Sequence, residues 1–256
     1  MSFNWAEIEY DGRIVTAHRW QNSPRRWNAS RIEVEGHVIT NADDPRLVIH
    51  NEKLYCTYDA FARSLGHKIC ITSIDEKHET HVVRYGASVE KNWCFFSLNG
   101  TLYAVYDLSK GRVVEFSKFQ VCDELDSTPL SWDHGRISGG TPPVLVGDRL
   151  TMFFHSWQRQ QWHGADKDNY YVRVYHVGYC ELDSKPPFAV RCYSKRPIFI
   201  KECGEYPCVF PCSARRSDDG WQLTCGFNDH RSGRVLVSDR AIDRSMGCRR
   251  STLVGV

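Results

Sequence analysis

The 256-residue sequence has no run of about 18 apolar residues, the length that a bilayer-spanning helix needs. Its opening stretch MSFNWAEIEYDG shows neither the basic nor the apolar region of a secretion signal. The expectation is a cytoplasmic chain with no membrane partner. Net charge is scarce as well, since 33 lysines and arginines against 31 aspartates and glutamates leave +2 at pH 7. That balance lacks the basic field on which non-specific nucleic-acid binding rests, so no nucleic-acid partner is expected. No two of the 11 cysteines stand at C-x-x-C spacing, and their number is odd. A disulfide framework and a zinc ribbon are both disfavoured, and the irregularly spaced Cys203, Cys208, Cys212 and Cys225 read as thiols rather than metal ligands. G-x-x-x-x-G-K and G-x-S-x-G are absent, which removes the phosphate-loop and nucleophile-elbow chemistries. A sustained 3.6-residue apolar period is missing too, so helix content should be low.

What the sequence does contain is a repeated hairpin. Apolar residues at 41% and charged residues at 25% suit one globular domain over 1–256 with an ordinary core. Within it, a β-type run, a turn of Gly, Asp or Asn, and a second β-type run recur five times, with turns opening at Asp11, Asn51, Asn99, Gly147 and Asp219. The spacings are 40, 48, 48 and 72 residues. Leu54, Cys56 and Tyr58 alternate with Tyr55, Thr57 and Asp59 at the period of two that strands require. A unit of about 40 to 50 residues repeated around an axis predicts an all-β, five-bladed β-propeller, with a β-sandwich as the rival. The wide last interval holds DNYYVRVYHVGYCEL, read as extra strand in the fourth blade.

Residues equally far before and after a hairpin turn lie at one end of that hairpin. Seven positions before the turns stand Asn4, Asp44, Asn92, Gly140 and Cys212, and eight positions after them stand Arg19, Asp59, Asp107, His155 and Phe227. Polar groups thus recur on one rim, the candidate mouth of the central channel, although strands also end in polar residues simply because they end at solvent. In NADDPRLVIH, Pro45 fixes φ while Asp44 stands at the rim with Arg46 two residues on. Asp44 reads either as a general acid or as a turn aspartate paired with Arg46. EKNW brings Lys91 and Asn92 to the matching place in the third hairpin, suited to an anionic or hydroxyl-rich ligand. GRISGGTPPV puts Arg136 ahead of two glycines that either allow close ligand approach or make a tight turn. Trp20, Trp27, Trp93, Trp132, Trp157 and Trp162 fall in or beside these segments; some could stack on a sugar face, and at least half are expected between sheets. His134, His163, Arg215–Arg216 and Arg249–Arg250 read as solvated loop residues.

Taken in order, Asn4 in FNWAEI, DDPR at 43–46, EKNW, RISGGTPPV, FFHSW and VYHVGYCEL resemble the mannoside phosphorylases of glycoside hydrolase family 130 over nearly the whole chain. The resemblance implies a five-bladed propeller and inverting cleavage or transfer of β-mannosidic bonds. It implies no metal or organic cofactor, with inorganic phosphate as an optional co-substrate and a carbohydrate as the partner. It casts Asp44 as proton donor, a role that calls for a pKa above the ordinary carboxylate range. It casts Asn4, Arg19 and Asp229 as sugar contacts, beside which Arg46 and Asp107 on the same rim are read as substrate-binding, and Lys91, Asn92, Arg136, His155 and Tyr175 as an anion subsite. Lys91 and Arg136 exchange the family's usual arginine and lysine, which bind phosphate with different geometry. In VYDLS, Asp107 stands where phosphorylases commonly carry a second phosphate-binding arginine. A carboxylate there would repel phosphate, which opens hydrolysis or sugar transfer, with Asp107 or Glu90 as a base. A non-catalytic propeller that binds a glycan or protein at the same mouth is the alternative.

Overall fold

The structure, a computed structural model, describes residues 2–21, 30–62, 66–75, 77–86, 89–163, 169–198 and 208–246. Trp27, Cys203, Arg249, Arg250 and the side chains of Trp162 and His163 lie outside the described residues.

Five separate antiparallel sheets follow one another along the chain, which excludes the two-sheet sandwich. The first blade is β1 (Ser2–Tyr10), β2 (Arg13–Gln21), β3 (Ser30–Val34) and β4 (His37–Thr40). The second is β5 (Ala42–His50), β6 (Lys53–Ala62), β7 (Gly66–Ser73) and β8 (Thr80–Val82). The third is β9 (Cys94–Leu98), β10 (Thr101–Asp107), β11 (Arg112–Ser117) and β12 (Gln120–Asp126). In the fourth, β13 (Arg136–Ser138) and β14 (Val144–Val146) both pair with the long β15 (Arg149–His163), followed by β16 (Asn169–Asp183) and β17 (Val190–Tyr193). The fifth has β18 (Val209–Ser217), β19 (Gly220–Phe227), β20 (Arg231–Ser238) and then the helix α1 (Asp239–Met246). The fold is the expected five-bladed propeller. The wide fourth interval is accounted for by β15 and β16, which stay paired from Arg149↔Asp183 to His163↔Asn169.

Turn chemistry fixes the hairpins. Asp11 and Gly12, Asn51 and Glu52, and Asn99 and Gly100 all have positive φ, between 48° and 77°. That is the pair of left-handed residues that a two-residue turn needs to match strand twist. The blades then stack face to face, so Leu54, Tyr55, Cys56, Thr57, Tyr58 and Asp59 of β6 are all buried, and the alternation in sequence marks two packed faces rather than one wet and one dry. Between blades lie large aromatic side chains: Trp93 stacks on Phe95, and Phe153 meets Tyr179 and Trp221 edge-on. Cys56, Cys70, Cys94, Cys180 and Cys212 are buried thiols within these layers.

Among the described residues the ring closes between blades five and one through side chains and not through exchange of a strand. The Glu7 amide donates to Ser213 Oγ at 3.0 Å, Thr224 Oγ1 donates to the Trp5 carbonyl at 2.9 Å, and Arg234 pairs with Glu7 at 2.7 Å. An axial cavity of about 440 Å³ opens among the inner strands at the hairpin-turn end, lined by Ile8, Leu47, Ile49, Phe95 and Val144. No helix among the described residues is long and apolar enough to cross a membrane.

Blade five has three described strands, and α1 covers it. Ser238 Oγ accepts from the Ala241 amide at 3.3 Å, an N-cap bond, with Asp239 in the first turn and Arg244 in the last. The helix buries Ile242 and Met246 against Trp221, Val237, Tyr179 and Ile198, while the Ser245 carbonyl accepts from the Lys195 and Arg196 amides of blade four. Ile242→Ala should lower unfolding free energy by about 2–4 kcal/mol, as for other core truncations, read from the denaturant midpoint at unchanged slope. A loss under about 1 kcal/mol would mean that the helix merely lies on the surface.

Candidate active site

The site begins where the innermost strands begin. Asn4, Asp44 and Asn92 adopt φ of 52°, 51° and 61°, and the register slips between Phe3 and Ala6 in β1 and between Asp43 and Arg46 in β5. Asn and Asp tolerate this left-handed conformation better than other residues with side chains, and a bulge re-aims one side chain out of the sheet. In three of the five hairpins the recurrence seven residues before the turn is therefore a recurrence of backbone geometry, which Gly140 and Cys212 do not share. Blades press closely on these groups. A Cβ on Gly226 would overlap the Asn4 side-chain oxygen, and one on Gly139 would overlap the Asn92 carbonyl, so only glycine fits.

Asp44 lies at the centre. Its Oδ1 accepts from Asn4 Nδ2 at 2.8 Å and from Arg19 Nη1 at 2.8 Å. Arg19, only 7% exposed, reaches from blade one with its Nη2 2.8 Å from Asp43 Oδ1, and its guanidinium lies 4.5 Å from the Phe3 ring centroid. The turn-aspartate pairing with the Arg46 side chain does not form. Arg46 Nη1 donates instead to the Asp44 main-chain oxygen at 3.0 Å, Nε donates to the Gly140 carbonyl at 2.5 Å, and Nη2 comes within 3.5 Å of Asn92 Oδ1. Asn92 Nδ2 donates to Ser138 Oγ at 3.2 Å. Four blades are thus tied together around one carboxylate.

Lys91 is engaged as well. Its Nζ is 2.9 Å from Asp59 Oδ2, an oxygen that also lies 3.3 Å from His67 Nδ1, and the Asp59 side chain is only 2% exposed. Asp59 is the Cα partner of Asp43 across the hairpin, so blade two alone contributes three carboxylates to this wall. Asp43 and Asp59 were not among the residues singled out from the sequence for binding or catalysis. Only the eight-after-the-turn recurrence pointed at Asp59, and nothing in DDPR ranked Asp43 beside Asp44.

Shared cations drive the two adjacent carboxyls apart. Burial opposes the charge on Asp44, but Arg19, Lys91, Arg46 and the Asn4 hydrogen bond outweigh it and hold the carboxyl below its ordinary range. This is the opposite direction to the one expected of a resting proton donor. Burial dominates at Asp43 and, despite Arg19, lifts it to about 6, with Asp44 and Asp59 adding to the rise. Burial and then the nearby Arg46 cation lower His155 to about 4, so its ring is neutral near pH 7. Crowding of Asp229 at the rim, and then the Asp44 charge, raise its carboxyl against the pull of Arg19.

The remaining predicted site residues divide into two groups. His155 is buried, stacks against Tyr175 at 5.9 Å and meets Phe210 at 4.7 Å, behind Arg46, which lies 5.2 Å from the same Phe210 ring. Asp229 stands in the turn after β19 with φ of 53°. These belong with the cluster. Arg136 is exposed on β13 opposite Trp157, and Asp107 Oδ1 is taken up by its own loop, accepting from Ser109 Oγ at 2.6 Å and from the Ser109 and Lys110 amides at 3.0 and 3.2 Å. Glu90 is buried, with Trp93 Nε1 donating to Oε2 at 3.0 Å and Tyr106 O–H reaching Oε1 at 3.5 Å. Trp93 and Trp132 pack in aromatic layers, the latter edge-on to Phe154, whereas Trp157 lies under Arg173 at 4.7 Å.

No protein-family model matches the sequence, and no curated protein matches it. Solved structures do match over most of the chain. The β-1,2-mannobiose phosphorylase from Listeria innocua, in complex with β-1,2-mannobiose, superposes with a TM-score of 0.68 at 15% identity, covering 96% of this chain and 92% of that one. The mannose phosphorylase MPT-4 from Leishmania mexicana, in complex with phosphate ion, gives 0.63 at 15%, with 93% and 83% covered. MPT-1, a GDP-Man-dependent mannosyltransferase from the same organism, gives 0.65 at 18%, with 93% and 85% covered. The fold is thus that of the mannoside phosphorylases, as the motif order implied, and at these identities it is the fold that is shared.

The raised Asp43 has a consequence for stability. With a folded pKa above the unfolded value, the native state holds this proton more tightly, so stability from this group is present in acid and is lost as pH rises from about 4 through about 6. Asp43→Asn removes the titration. Its unfolding free energy relative to the unmodified protein should increase by on the order of 2 kcal/mol between pH 4.5 and pH 7.5, with most of the change below pH 6.5. A difference independent of pH would show that Asp43 is not the group that burial has raised.

Proposed function

We propose that this chain is a carbohydrate-active enzyme that cleaves or transfers a β-mannosidic bond with inversion, using Asp44 as proton donor. The observation that carries the reading is the convergence of Asn4, Arg19 and Arg46 from blades one and two on Asp44, at the mouth of a propeller shared with mannoside-processing proteins. In the reaction, the bond between C1 and the leaving oxygen breaks as that oxygen takes the Asp44 proton, directly or through a sugar hydroxyl. A hydroxyl oxygen of the acceptor bonds to C1 from the opposite face and gives up its proton to a base. Asn4, Asn92 and Asp229 supply donors and acceptors suited to sugar hydroxyls, and Arg19 orients Asp44. A saccharide entering the mouth displaces water and deepens the burial of Asp44, which favours the protonated carboxyl.

A second reading has its own support. The resting Asp44 is held as a carboxylate by Arg19 and Asn4, an arrangement that also suits a non-catalytic module gripping sugar hydroxyls with a fixed acceptor. Product release from a panel of β-mannosides and manno-oligosaccharides, with and without phosphate, separates the two. The enzyme reading expects turnover that falls about 10²- to 10⁴-fold in Asp44→Asn, the usual contribution of a general acid. Glycan binding without turnover in the unmodified protein would establish the binding module instead.

A further inference from the structure

We propose that Asp59 sets the acceptor of this site: by neutralising Lys91 it denies inorganic phosphate a seat and leaves the mouth to a neutral hydroxyl, that of water or of another sugar. The inference rests on the glycosidic reading above and deepens it. Lys91 is the cation that the third hairpin offers to an anion, yet its Nζ is 2.9 Å from a carboxylate buried within blade two. The Asp59 side chain, 2% exposed, has no comparable access to water that would dilute its charge.

The other positive groups do not replace Lys91. Arg19 is shared between Asp43 and Asp44. Arg46 directs its donors at the Asp44 and Gly140 carbonyls and at Asn92. His155 is neutral near pH 7, with burial the first cause. Arg136 is exposed on β13, where water dilutes its charge. Asp43, Asp44, Asp59 and Asp229 therefore face Arg19, Arg46 and Lys91, with Arg173 beside Asp229 but already hydrogen-bonded to Tyr175 and laid over the Trp157 ring, and an added phosphate would meet a wall already supplied with anions. A neutral acceptor avoids this. Its oxygen forms the new bond to C1, its proton passes to a carboxylate of the wall, and the leaving sugar oxygen receives the proton of Asp44, so that no charge is imported.

The test is direct titration of inorganic phosphate into the intact protein, by calorimetry and ³¹P line broadening, for the unmodified chain, Asp59→Asn and Asp59→Ser. The unmodified protein should show no saturable binding, and either variant should gain it by at least about tenfold, the effect of removing one like charge from a partly dry site. Lys91→Gln placed on Asp59→Asn should abolish the gain. Saturable phosphate binding by the unmodified protein would overturn the proposal, as would a folded Asp59 variant with no gain. Because phosphate binding is read without a sugar, failure to cleave any mannoside would defeat the glycosidic reading and leave this result standing.

Discussion

Arg19 holds two consecutive carboxylates, at 2.8 Å each, while almost completely withdrawn from water. An arginine so placed contributes little net stability, since desolvation of three charges consumes most of the Coulombic gain. What it supplies is position. Asp43 and Asp44 follow one another in a strand that would send them to opposite sides of the sheet, and the register slip between Asp43 and Arg46 within blade two brings both within reach of one guanidinium from blade one. The same sharing drives their acidities apart: Asp44 owns more of the positive surroundings and stays low, while Asp43, buried between two other carboxylates, rises to about 6. Two like groups with different environments are the usual raw material of acid–base chemistry.

Everything around this pair is arranged to keep the innermost strands close. Glycine at 139 and 226 lets neighbouring blades meet without a Cβ between them, and the hydroxyls of Ser213 and Thr224, 2.6 Å apart, bind the last blade to the first. The blade interfaces behind them are filled by Trp93, Phe95, Phe153 and Trp221, so the polar mouth stands on a packed apolar ring and cannot relax by shifting one strand alone. The precision of the site is a property of blade packing.

Much of this was legible in the sequence because it follows from local rules. Asp11-Gly12 and Asn99-Gly100 are the residue pairs that two-residue hairpin turns demand, and the intervals between turns exposed the blades. The Asp107 turn could have been read from the same rules: Ser109 follows at the spacing of an Asx-turn, and Oδ1 is taken up by that turn. The short helix α1 also carries its signals in Ser238, Asp239 and Arg244, but eight residues are too few to show a period. What the sequence could not display were contacts between blades. Nothing in NADDPR and EKNW, nor in TYDAF, states that Asp59 reaches Lys91 or that Arg19 reaches Asp43, because those distances depend on the rotation from one blade to the next.

The charges of the mouth also determine what kind of molecule it suits. Carboxylates accept and do not donate when ionised, whereas Asn4 and Asn92 present both amide hydrogens and amide oxygen. A sugar hydroxyl can donate to the first and accept from the second, so each hydroxyl that enters replaces a water in kind and imports no charge. An anion can use only the donors, and here Arg19 Nη1 and Nη2, Arg46 Nε and Nη1 and Lys91 Nζ are already directed at Asp44, Asp43, main-chain oxygens and Asp59. Binding an anion would mean breaking those largely buried pairs, and each carboxylate left behind would lose its partner at a cost larger than the pair was worth. The arrangement therefore discriminates by what it has already satisfied. On the acceptor reading proposed above, a neutral polyol asks for none of these pairs to be broken, whereas a phosphate asks for several.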